Sequence, residues 1–250
     1  MMAGVMVVTG AGRGIGAAIA EHAGASGFKV AVNYSRSKDS AEKVVARIRA
    51  KGGVAEAIQG DVGREDDILR LFKETDAKLG RVTALVNNAG IDVENRNVED
   101  CRLEDLHTIF AVNVFGTFLC SREAIRRMSP AKGGTGGAIV HISSRASGHG
   151  SLLGETPYTA TKGAMDAMTM VMAREVAKQN IRVNTIRPGL ILTDIFERSG
   201  GREVLMERAK TAVPMGRPGE AHEIATAAVW LCTEGASYVT GAILDVGGGR

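Results

Sequence analysis

The fold of this 250-residue chain is indicated most clearly near its start, by the stretch Val5-Met6-Val7-Val8-Thr9-Gly10-Ala11-Gly12-Arg13-Gly14-Ile15-Gly16. The apolar run predicts a buried strand, and the pattern after the glycines predicts a helix over Ile15–Ala25. Glycines at 10, 14 and 16 allow a tight turn, a close approach of the backbone to a pyrophosphate, and close packing of the helix on the strand. The free N–H groups at a helix N-terminus also favour an anion. Taken alone the signal is weak, because glycine-rich turns between a strand and a helix also occur without a ligand.

Outward from this stretch, short apolar runs alternate with longer amphipathic segments along the whole chain. Six further strands are predicted, at Lys29–Asn33, Val54–Gln59, Val82–Val86, Ala138–Ile142, Ile181–Ile186 and Ala242–Asp245. Helices are predicted between them, at Ser40–Ala50, Glu65–Leu79, Leu103–Met128, Tyr158–Gln179 and Ala221–Leu231. This alternation indicates parallel strands with helices on both faces. We therefore predict an α/β fold of Rossmann type, a doubly wound, seven-stranded parallel sheet in a single domain over residues 1–250. The segment from about 190 to 215 is predicted to have no strand and to cover the site with a helix.

Composition limits the class of protein. The net charge is +3 with both signs interleaved, and only 4% of the residues are aromatic, so nothing indicates a nucleic-acid partner. Three widely spaced cysteines, Cys101, Cys120 and Cys232, predict free thiols, with neither a disulfide frame nor a metal site. We find no leader-like N-terminal segment and no apolar stretch that approaches about 18 residues. We therefore expect no signal peptide, no membrane span and a cytoplasmic location.

The segment after the second strand bears on the choice of dinucleotide. An NAD-selective site carries Asp or Glu about 20 residues beyond the glycines, where it binds the ribose 2′-hydroxyl. Here the window has no acid before Asp39 and consists of Tyr34-Ser35-Arg36-Ser37-Lys38. Arg36 and Arg13 can pair with a 2′-phosphate, and Ser35 can donate a hydrogen bond to it. We expect NADP(H), with NAD(H) as the second option. The alternative is that Arg36 and Lys38 are solvated loop charges.

Polar and small residues follow two further strands. Asp61-Val62 comes after the third strand, and Asn87-Asn88-Ala89-Gly90 comes after the fourth. Ligands of open parallel sheets bind at the carboxyl ends of strands. Asp61 could therefore accept a hydrogen bond from an adenine amino group, and Asn87 with Ala89 and Gly90 could line a ribose. For either motif alone, ordinary turn chemistry would be the better explanation.

The strongest chemical signal is the pair Tyr158 and Lys162, which share a helical face because they are four residues apart. A tyrosine needs a pKa shift of about three units, roughly 4 kcal/mol, to act as a base at neutral pH. One ammonium at about 4 Å supplies that much in a partly screened site. The alternative is an exposed surface pair. Against it, Ser143-Ser144 ends the fifth predicted strand, and Asn113 lies inside an apolar helix, where asparagine is unfavourable unless it makes a hydrogen bond.

With these residues in view, the chain resembles the short-chain dehydrogenase/reductase family over essentially its full length. Thr9–Gly16 is similar to the family's TGxxxGxG loop, Asn87–Gly90 to its NNAG motif, and Arg182-Val183-Asn184 with Pro188, Gly189 and Thr193 to its nicotinamide-contacting segment. The resemblance implies a catalytic tetrad of Asn113, Ser144, Tyr158 and Lys162. The candidate cofactor-binding residues are Gly10, Arg13, Gly14, Ile15, Gly16, Ser35, Arg36, Asp61, Val62, Asn87, Ala89, Gly90, Tyr158, Lys162, Pro188, Gly189 and Thr193.

By this resemblance, the protein interconverts a carbonyl and a secondary alcohol by hydride transfer with NADP(H). Tyr158 moves the proton, Lys162 lowers its pKa and holds the ribose, Ser144 polarises the carbonyl and Asn113 anchors a water. The branch it resembles contains 3-oxoacyl-carrier-protein reductases and glucose 1-dehydrogenase-like enzymes, which implies a homotetramer. A catalytically idle NADPH-binding sensor is the alternative, and an epimerase-type relative is disfavoured by the chain length.

Two points of the site stay open at this stage. The loop between Ser144 and Tyr158 is about one residue longer than is usual in the family, so Ser143, Ser144 and Ser147 all remain candidates for the catalytic serine. The substrate, which we expect to be a small molecule, is not identified. Its mouth is predicted to be lined by Arg145, His149, Leu152, Leu153, Glu155, Leu190–Phe196 and Met206. Packing under a covering helix is an equally good explanation of those residues.

Overall fold

The protein is described by a computed structural model over residues 4–193 and 201–250. In those ranges the strands are β1 (Val5–Val8), β2 (Lys29–Tyr34), β3 (Val54–Gln59), β4 (Val82–Asn87), β5 (Gly137–Ile142), β6 (Ile181–Pro188), β7 (Ile191–Leu192), β8 (Gly219–Glu220) and β9 (Ile243–Val246). The α-helices are α1 (Gly14–Ala25), α2 (Lys38–Ala50), α3 (Glu65–Lys78), α4 (Leu103–Phe110), α5 (Thr117–Met128), α6 (Ala146–His149), α7 (Thr156–Val176), α8 (Gly201–Ala212) and α9 (Ala221–Leu231). A π-helix, Ala111–Gly116, joins α4 to α5.

The main sheet has the strand order β3-β2-β1-β4-β5-β6-β9, and its neighbouring strands pair in parallel. The chain runs outward from β1 to β3 and then returns to place β4 on the other side of β1. The connections on the two sides of β1 diverge, which opens a crevice at the carboxyl ends of β1 and β4. This confirms the predicted doubly wound, seven-stranded α/β fold.

The sheet is covered on both faces, which explains why its strands are apolar runs and not alternating patterns. Along β1, Met6 and Val8 pack with the side chains of α1, α2 and α9, whereas Val5 and Val7 pack with those of α3, α5 and α7. All four side chains are buried. A strand with two buried faces holds its register firmly, so the loop that follows β1 starts from a well-defined position.

The segment predicted to have no strand does contain one. Ile191–Leu192 pairs in parallel with Gly219–Glu220 in a separate two-stranded sheet. A strand of two residues is too short to show a period in the sequence, which is why the prediction was wrong. The helical part of that prediction corresponds to α8, whose Leu205 and Ala209 pack with Leu190. Residues 194–200 lie outside the described part of the chain.

The prediction that no apolar stretch approaches membrane-spanning length also needs correction. Leu103–Met128 is long and apolar enough by length and composition, with a mean hydropathy of 1.2 over 18 residues, and 44% of that window is buried. Its buried side chains, such as Ile109, Cys120 and Ala124, belong to the packed interior. A core helix of a soluble protein passes the same test, so this segment is weak evidence for a membrane span.

Candidate active site

The glycine-rich loop after β1 has the backbone shape that its sequence predicts. Gly10 and Gly14 have positive φ angles, +62° and +55°, a conformation that other residues rarely adopt. A Cβ on Gly16 would lie 2.4 Å from Asn88 Nδ2 and 2.5 Å from the Gly10 carbonyl oxygen. These positions therefore require glycine for reasons of both conformation and space.

Three polar side chains that sequence analysis did not single out hold this loop in place. Asn33, buried in β2, accepts a hydrogen bond from Gly10 N at 3.2 Å and donates to the carbonyls of Ile58 and Gly60. Thr9 Oγ1 accepts from Asn88 N at 3.0 Å, and Asn88 Nδ2 donates to Thr9 O at 3.0 Å. A polar residue in a buried strand was the available signal for Asn33, because such a group must find a partner.

The residues present in this crevice fit a dinucleotide. Arg13 precedes α1 in extended conformation and its side chain does not cap the helix, so the first N–H groups of α1 are left for an anion. Thr193 lies beside the same turn, with its methyl carbon 3.6 Å from where a Gly14 Cβ would be. The exposed Ser35 and Arg36 follow the end of the neighbouring strand β2.

Other predicted binding residues lie at the same edge of the sheet. Gly189 follows Pro188 at the end of β6, and a Cβ on it would come within 2.7 Å of Gly247. Asp61 Oδ1 accepts a hydrogen bond from Gly63 N at 2.9 Å, which is turn chemistry, and Val62 is buried beside it. The carboxyl ends of β1 to β6 thus bring these positions to one side of the molecule, while their contacts with a cofactor stay predictions.

The structure places the Asn87 side chain differently from our expectation. Its amide nitrogen lies 3.0 Å from Ser121 Oγ and 3.1 Å from His141 Nδ1, inside the protein. Alternate side chains of a strand point to opposite faces, and this one points towards α5. Asn87 therefore anchors the end of β4, whereas Ala89 and Gly90 lie at the crevice. A Cβ on Gly90 would be 3.5 Å from Lys162 Nζ.

Asn113 lies in the π-helix and is fully buried. Its side chain accepts a hydrogen bond from Ile91 N at 2.9 Å and donates to Ile91 O at 2.9 Å and to Thr161 Oγ1 at 3.1 Å. The predicted hydrogen-bonding role is thus present. The side chain positions the loop at Ile91 and the helix that carries Lys162, while its predicted role in anchoring a water stays a prediction.

The contacts of the three candidate serines are different. Ser143 Oγ donates to the Lys162 carbonyl at 3.1 Å and is buried, and Ser147 Oγ donates to the Ser144 carbonyl at 2.7 Å. Ser144 Oγ accepts a hydrogen bond from Ala146 N at 3.1 Å and, unlike the other two hydroxyls, donates to no carbonyl in the described part of the chain. Its side chain also lowers the pKa of the Tyr158 phenol. The geometry therefore favours Ser144, as the resemblance implies.

The Tyr158–Lys162 pair is present, while the predicted effect of the Lys162 charge on the phenol stays a prediction. Burial, together with the charges of Asp92 and Glu155, raises the pKa of Tyr158 to about 12, and the Ser144 side chain acts in the opposite direction. The Lys162 ammonium lies 5.6 Å above the centre of the Tyr158 ring and donates to the Ile142 carbonyl at 2.8 Å. The structure thus places the ammonium over the Tyr158 ring. Burial in turn lowers the pKa of Lys162 to about 8.

This buried ammonium predicts a measurable cost in stability. Without cofactor, we expect the free energy of unfolding of Lys162→Met at pH 7 to be about 1–2 kcal/mol higher than that of the wild type. The reason is that the desolvation cost of the buried ammonium is larger than the stabilisation from the hydrogen bond that is lost. The pKa of Lys162 falls from 10.5 to about 8 on folding. Between those pH values the unfolded chain holds a proton that the folded chain lacks, so wild-type stability rises with pH. Urea unfolding should show that the difference in free energy of unfolding between Lys162→Met and the wild type becomes smaller from pH 8 to 10. A difference that stays constant over this range would contradict the prediction.

The residues predicted to line a substrate mouth are distributed unevenly. Leu152 and Leu153 are exposed, and Glu155 directly precedes α7. The Arg145 guanidinium pairs with Asp245 on β9. Arg145 lines a cavity together with Leu190 and Ile191, which were predicted with it, and the role of that cavity in binding a substrate stays a prediction.

Comparison with known proteins agrees with this geometry. A family model described as enoyl-(acyl carrier protein) reductase matches residues 10–250. The chain is 43% identical to an uncharacterised oxidoreductase of Escherichia coli K12, YgfF, over 98% of this chain and 99% of that protein. It is 37% identical to a 3-oxoacyl-[acyl-carrier-protein] reductase of Synechocystis, over 100% and 97% of the two chains. A short-chain dehydrogenase/reductase of Serratia marcescens superposes with a TM-score of 0.89 at 33% identity, over 98% of this chain and 96% of that one. The chain therefore belongs to the short-chain dehydrogenase/reductase family, and it is an oxidoreductase that acts on CH–OH or carbonyl groups with NAD(P).

Proposed function

We propose that this enzyme is an NADP(H)-dependent reductase that converts a small-molecule carbonyl to a secondary alcohol, with Tyr158 as the proton donor. The observation that carries the proposal is the juxtaposition on α7 of the Lys162 ammonium, 5.6 Å from the ring centre of Tyr158, with the half-buried Tyr158 phenol. Its pKa of about 12 keeps it protonated at physiological pH. A protonated phenol is an acid, which suits reduction, because the alkoxide formed there must gain a proton.

The chemistry that a nicotinamide dinucleotide supplies when bound is the transfer of a hydride. Ser144 would donate a hydrogen bond to the substrate oxygen and so stabilise the developing negative charge. Lys162, held by the Ile142 carbonyl and adjacent to Gly90, would hold the ribose of the cofactor. Asn113 acts as a positioning residue for the loop at Ile91 and for helix α7 through its bonds to Ile91 and Thr161.

We propose NADP(H) as the preferred cofactor because Ser35 and Arg36 follow β2, where an acid would otherwise bind the ribose. Arg36→Ala is expected to raise KM for NADPH about tenfold and to leave KM for NADH nearly unchanged, because the lost charge-assisted bond is made only to the 2′-phosphate. Initial rates with each cofactor provide the measurement. Lys43→Ala is the matched control, since Lys43 is an exposed cation of the next helix. Equal effects of Arg36→Ala on both cofactors would contradict the proposal.

The proposed function itself is tested by following reduced-cofactor absorbance with a panel of ketones, oxoacyl thioesters, sugars and alcohols. The relatives named 3-oxoacyl-[acyl-carrier-protein] reductase make oxoacyl thioesters a natural first choice. Turnover of a carbonyl with NADPH would support the reductase. Cofactor binding without turnover across the panel would favour the idle sensor instead.

Three further expectations belong to the proposal. We propose a homotetramer, which sedimentation would test, and a cytoplasmic location, which fractionation would test. We also propose that the chain forms a single domain in which α8 and the segment before it cover the substrate. Limited proteolysis with and without cofactor would test this arrangement by showing whether the segment becomes protected.

A further inference from the structure

Two loops meet beside the start of α7, the helix that carries Tyr158, and we call residues 91–96 and 151–155 the mouth. The backbone N–H of Arg96 donates a hydrogen bond to the Gly154 carbonyl oxygen at 3.3 Å, so the two loops are joined through their backbones. Gly154 has a φ of +85°, and a Cβ on it would lie 3.0 Å from Arg96 N. The close approach of the loops therefore defines the entrance to the catalytic residues.

One carboxylate of the mouth belongs to Asp92. The preceding residue, Ile91, is held on both its N–H and its C=O by the buried Asn113 side chain, at 2.9 Å each. Asp92 is exposed, and its carboxylate accepts a hydrogen bond from Val93 N at 2.8 Å. Gly90, two residues before Asp92, lies against Lys162, since a Cβ on it would be 3.5 Å from Lys162 Nζ. In agreement with this placement, the charge of Asp92 raises the pKa of both Tyr158 and Lys162. Asp92 is thus a negative charge fixed close to the reacting groups.

The second carboxylate belongs to Glu155, which precedes α7 three residues before Tyr158. Ser151 Oγ donates to its carboxylate, and its backbone carbonyl accepts from Thr159 N at 2.9 Å. Glu155 also raises the pKa of both Asp92 and Tyr158, so the two carboxylates act on one another and on the phenol. The two carboxylates are close to one another although each disfavours the ionised form of the other.

The cations around the mouth leave most of this charge unbalanced. Arg96 pairs with Glu94, and Arg145 pairs with Asp245. Arg250 acts on Glu155 through space, and Lys162 lies buried beneath the mouth. Within residues 4–193 and 201–250, neither Asp92 nor Glu155 forms an ion pair with a cationic side chain. Two carboxylates without an ion-pair partner in those ranges thus lie close to Tyr158.

We infer that Asp92 and Glu155 select the substrate by its charge, so that the site disfavours carbonyl compounds with a carboxylate or phosphate near the reacting carbon and accepts neutral or cationic ones. The inference rests on the proposed reductase function. It assigns specificity to two side chains that do not take part in the proton transfer. The physical cause is repulsion between like charges in a partly desolvated entrance.

The test uses compounds that differ in charge and little in shape. Acetoacetamide is neutral, acetoacetate is its near-isosteric anion, and acetonyltrimethylammonium is a cation. We expect the wild type to reduce acetoacetamide with a higher kcat/KM than acetoacetate. In Asp92→Asn and in Glu155→Gln, the kcat/KM for acetoacetate divided by that for acetoacetamide should rise about tenfold, as expected for unit charges several ångströms apart in a partly screened site. The kcat/KM for acetonyltrimethylammonium divided by that for acetoacetamide should fall in the same variants. Glu99→Gln, an exposed acid outside the mouth, is the matched control and should leave both ratios unchanged.

A second measurement separates this inference from the proposed function. The affinities of the same three compounds are measured for cofactor-loaded Tyr158→Phe protein, with and without Asp92→Asn, so that no turnover is needed. If the relative affinities for the anion, the neutral compound and the cation change with Asp92→Asn, the inference is supported even when no compound is reduced. In that case only the proposed function fails. Turnover of acetoacetamide with ratios that do not respond to either variant overturns the inference and leaves the reductase intact. If a variant changes the ratios for the anion and for the cation in the same direction, the inference is also overturned, because such a result would indicate that the substitution changed the shape of the site.

Discussion

Tyr158→Phe is expected to lose about 10³-fold in kcat for carbonyl reduction, within the range of roughly 10²–10⁴ that a positioned general acid contributes. The substitution removes the only atom of this side chain that can deliver a proton, while the ring and its packing remain. Because the phenol has a pKa of about 12, wild-type activity should not fall through deprotonation of Tyr158 below pH 10. Initial rates from pH 6 to 10, together with cofactor binding, are the measurements.

The chain offers a matched control for this substitution. Tyr238 is fully exposed, so Tyr238→Phe removes a phenol hydroxyl from the protein surface and should leave kcat unchanged. Thermal melting of both variants should stay close to that of wild type. If Tyr158→Phe retains full turnover while binding cofactor normally, the phenol is not the acid and the proposed mechanism fails.

Gly16→Ala is expected to lower kcat/KM about 100-fold, because a displacement near 1 Å of a positioning element can cost that much. An added Cβ would lie 2.4 Å from Asn88 Nδ2 and 2.5 Å from Gly10 O, and both groups hold the cofactor loop. Something must move, and the Asn88 amide is tied to the Thr9 and Gly10 carbonyls. The overpacking should also lower the free energy of unfolding by about 1–3 kcal/mol.

Gly163→Ala is the matched control for this glycine. Gly163 lies inside α7, and a Cβ there would meet nothing within 4 Å in the described part of the chain. The same added methyl should therefore stabilise the protein, by about 0.5–1 kcal/mol, because alanine favours a helix over glycine. Urea unfolding and cofactor titration of both variants provide the comparison. Wild-type cofactor affinity in Gly16→Ala would show that the loop tolerates the displacement.

Much of the fold could be predicted because its signals are local. Apolar runs such as those of β1 and β4 come from strands buried on both faces, and the helices between them show one apolar side. Positive φ angles at Gly10 and Gly14 follow from the same stretch that indicated the fold. The strand Ile191–Leu192 was missed because two residues carry no period, and each of them pairs with a residue 28 positions further along the chain.

The sequence by itself determined the family of this protein and the candidates for its chemistry, since a tyrosine and a lysine one helical turn apart, a serine at a strand end and a glycine loop each have meaning at short range. The tertiary structure alone decided the surroundings of these groups. It left Ser144 as the serine that donates to no carbonyl in the described residues, turned Asn87 into the interior and placed Lys162 over the Tyr158 ring. It also brought Asp92 and Glu155, 63 positions apart, to one entrance. The reason is physical: a pKa or a hydrogen bond depends on everything within a few ångströms, and most of those neighbours come from distant parts of the chain.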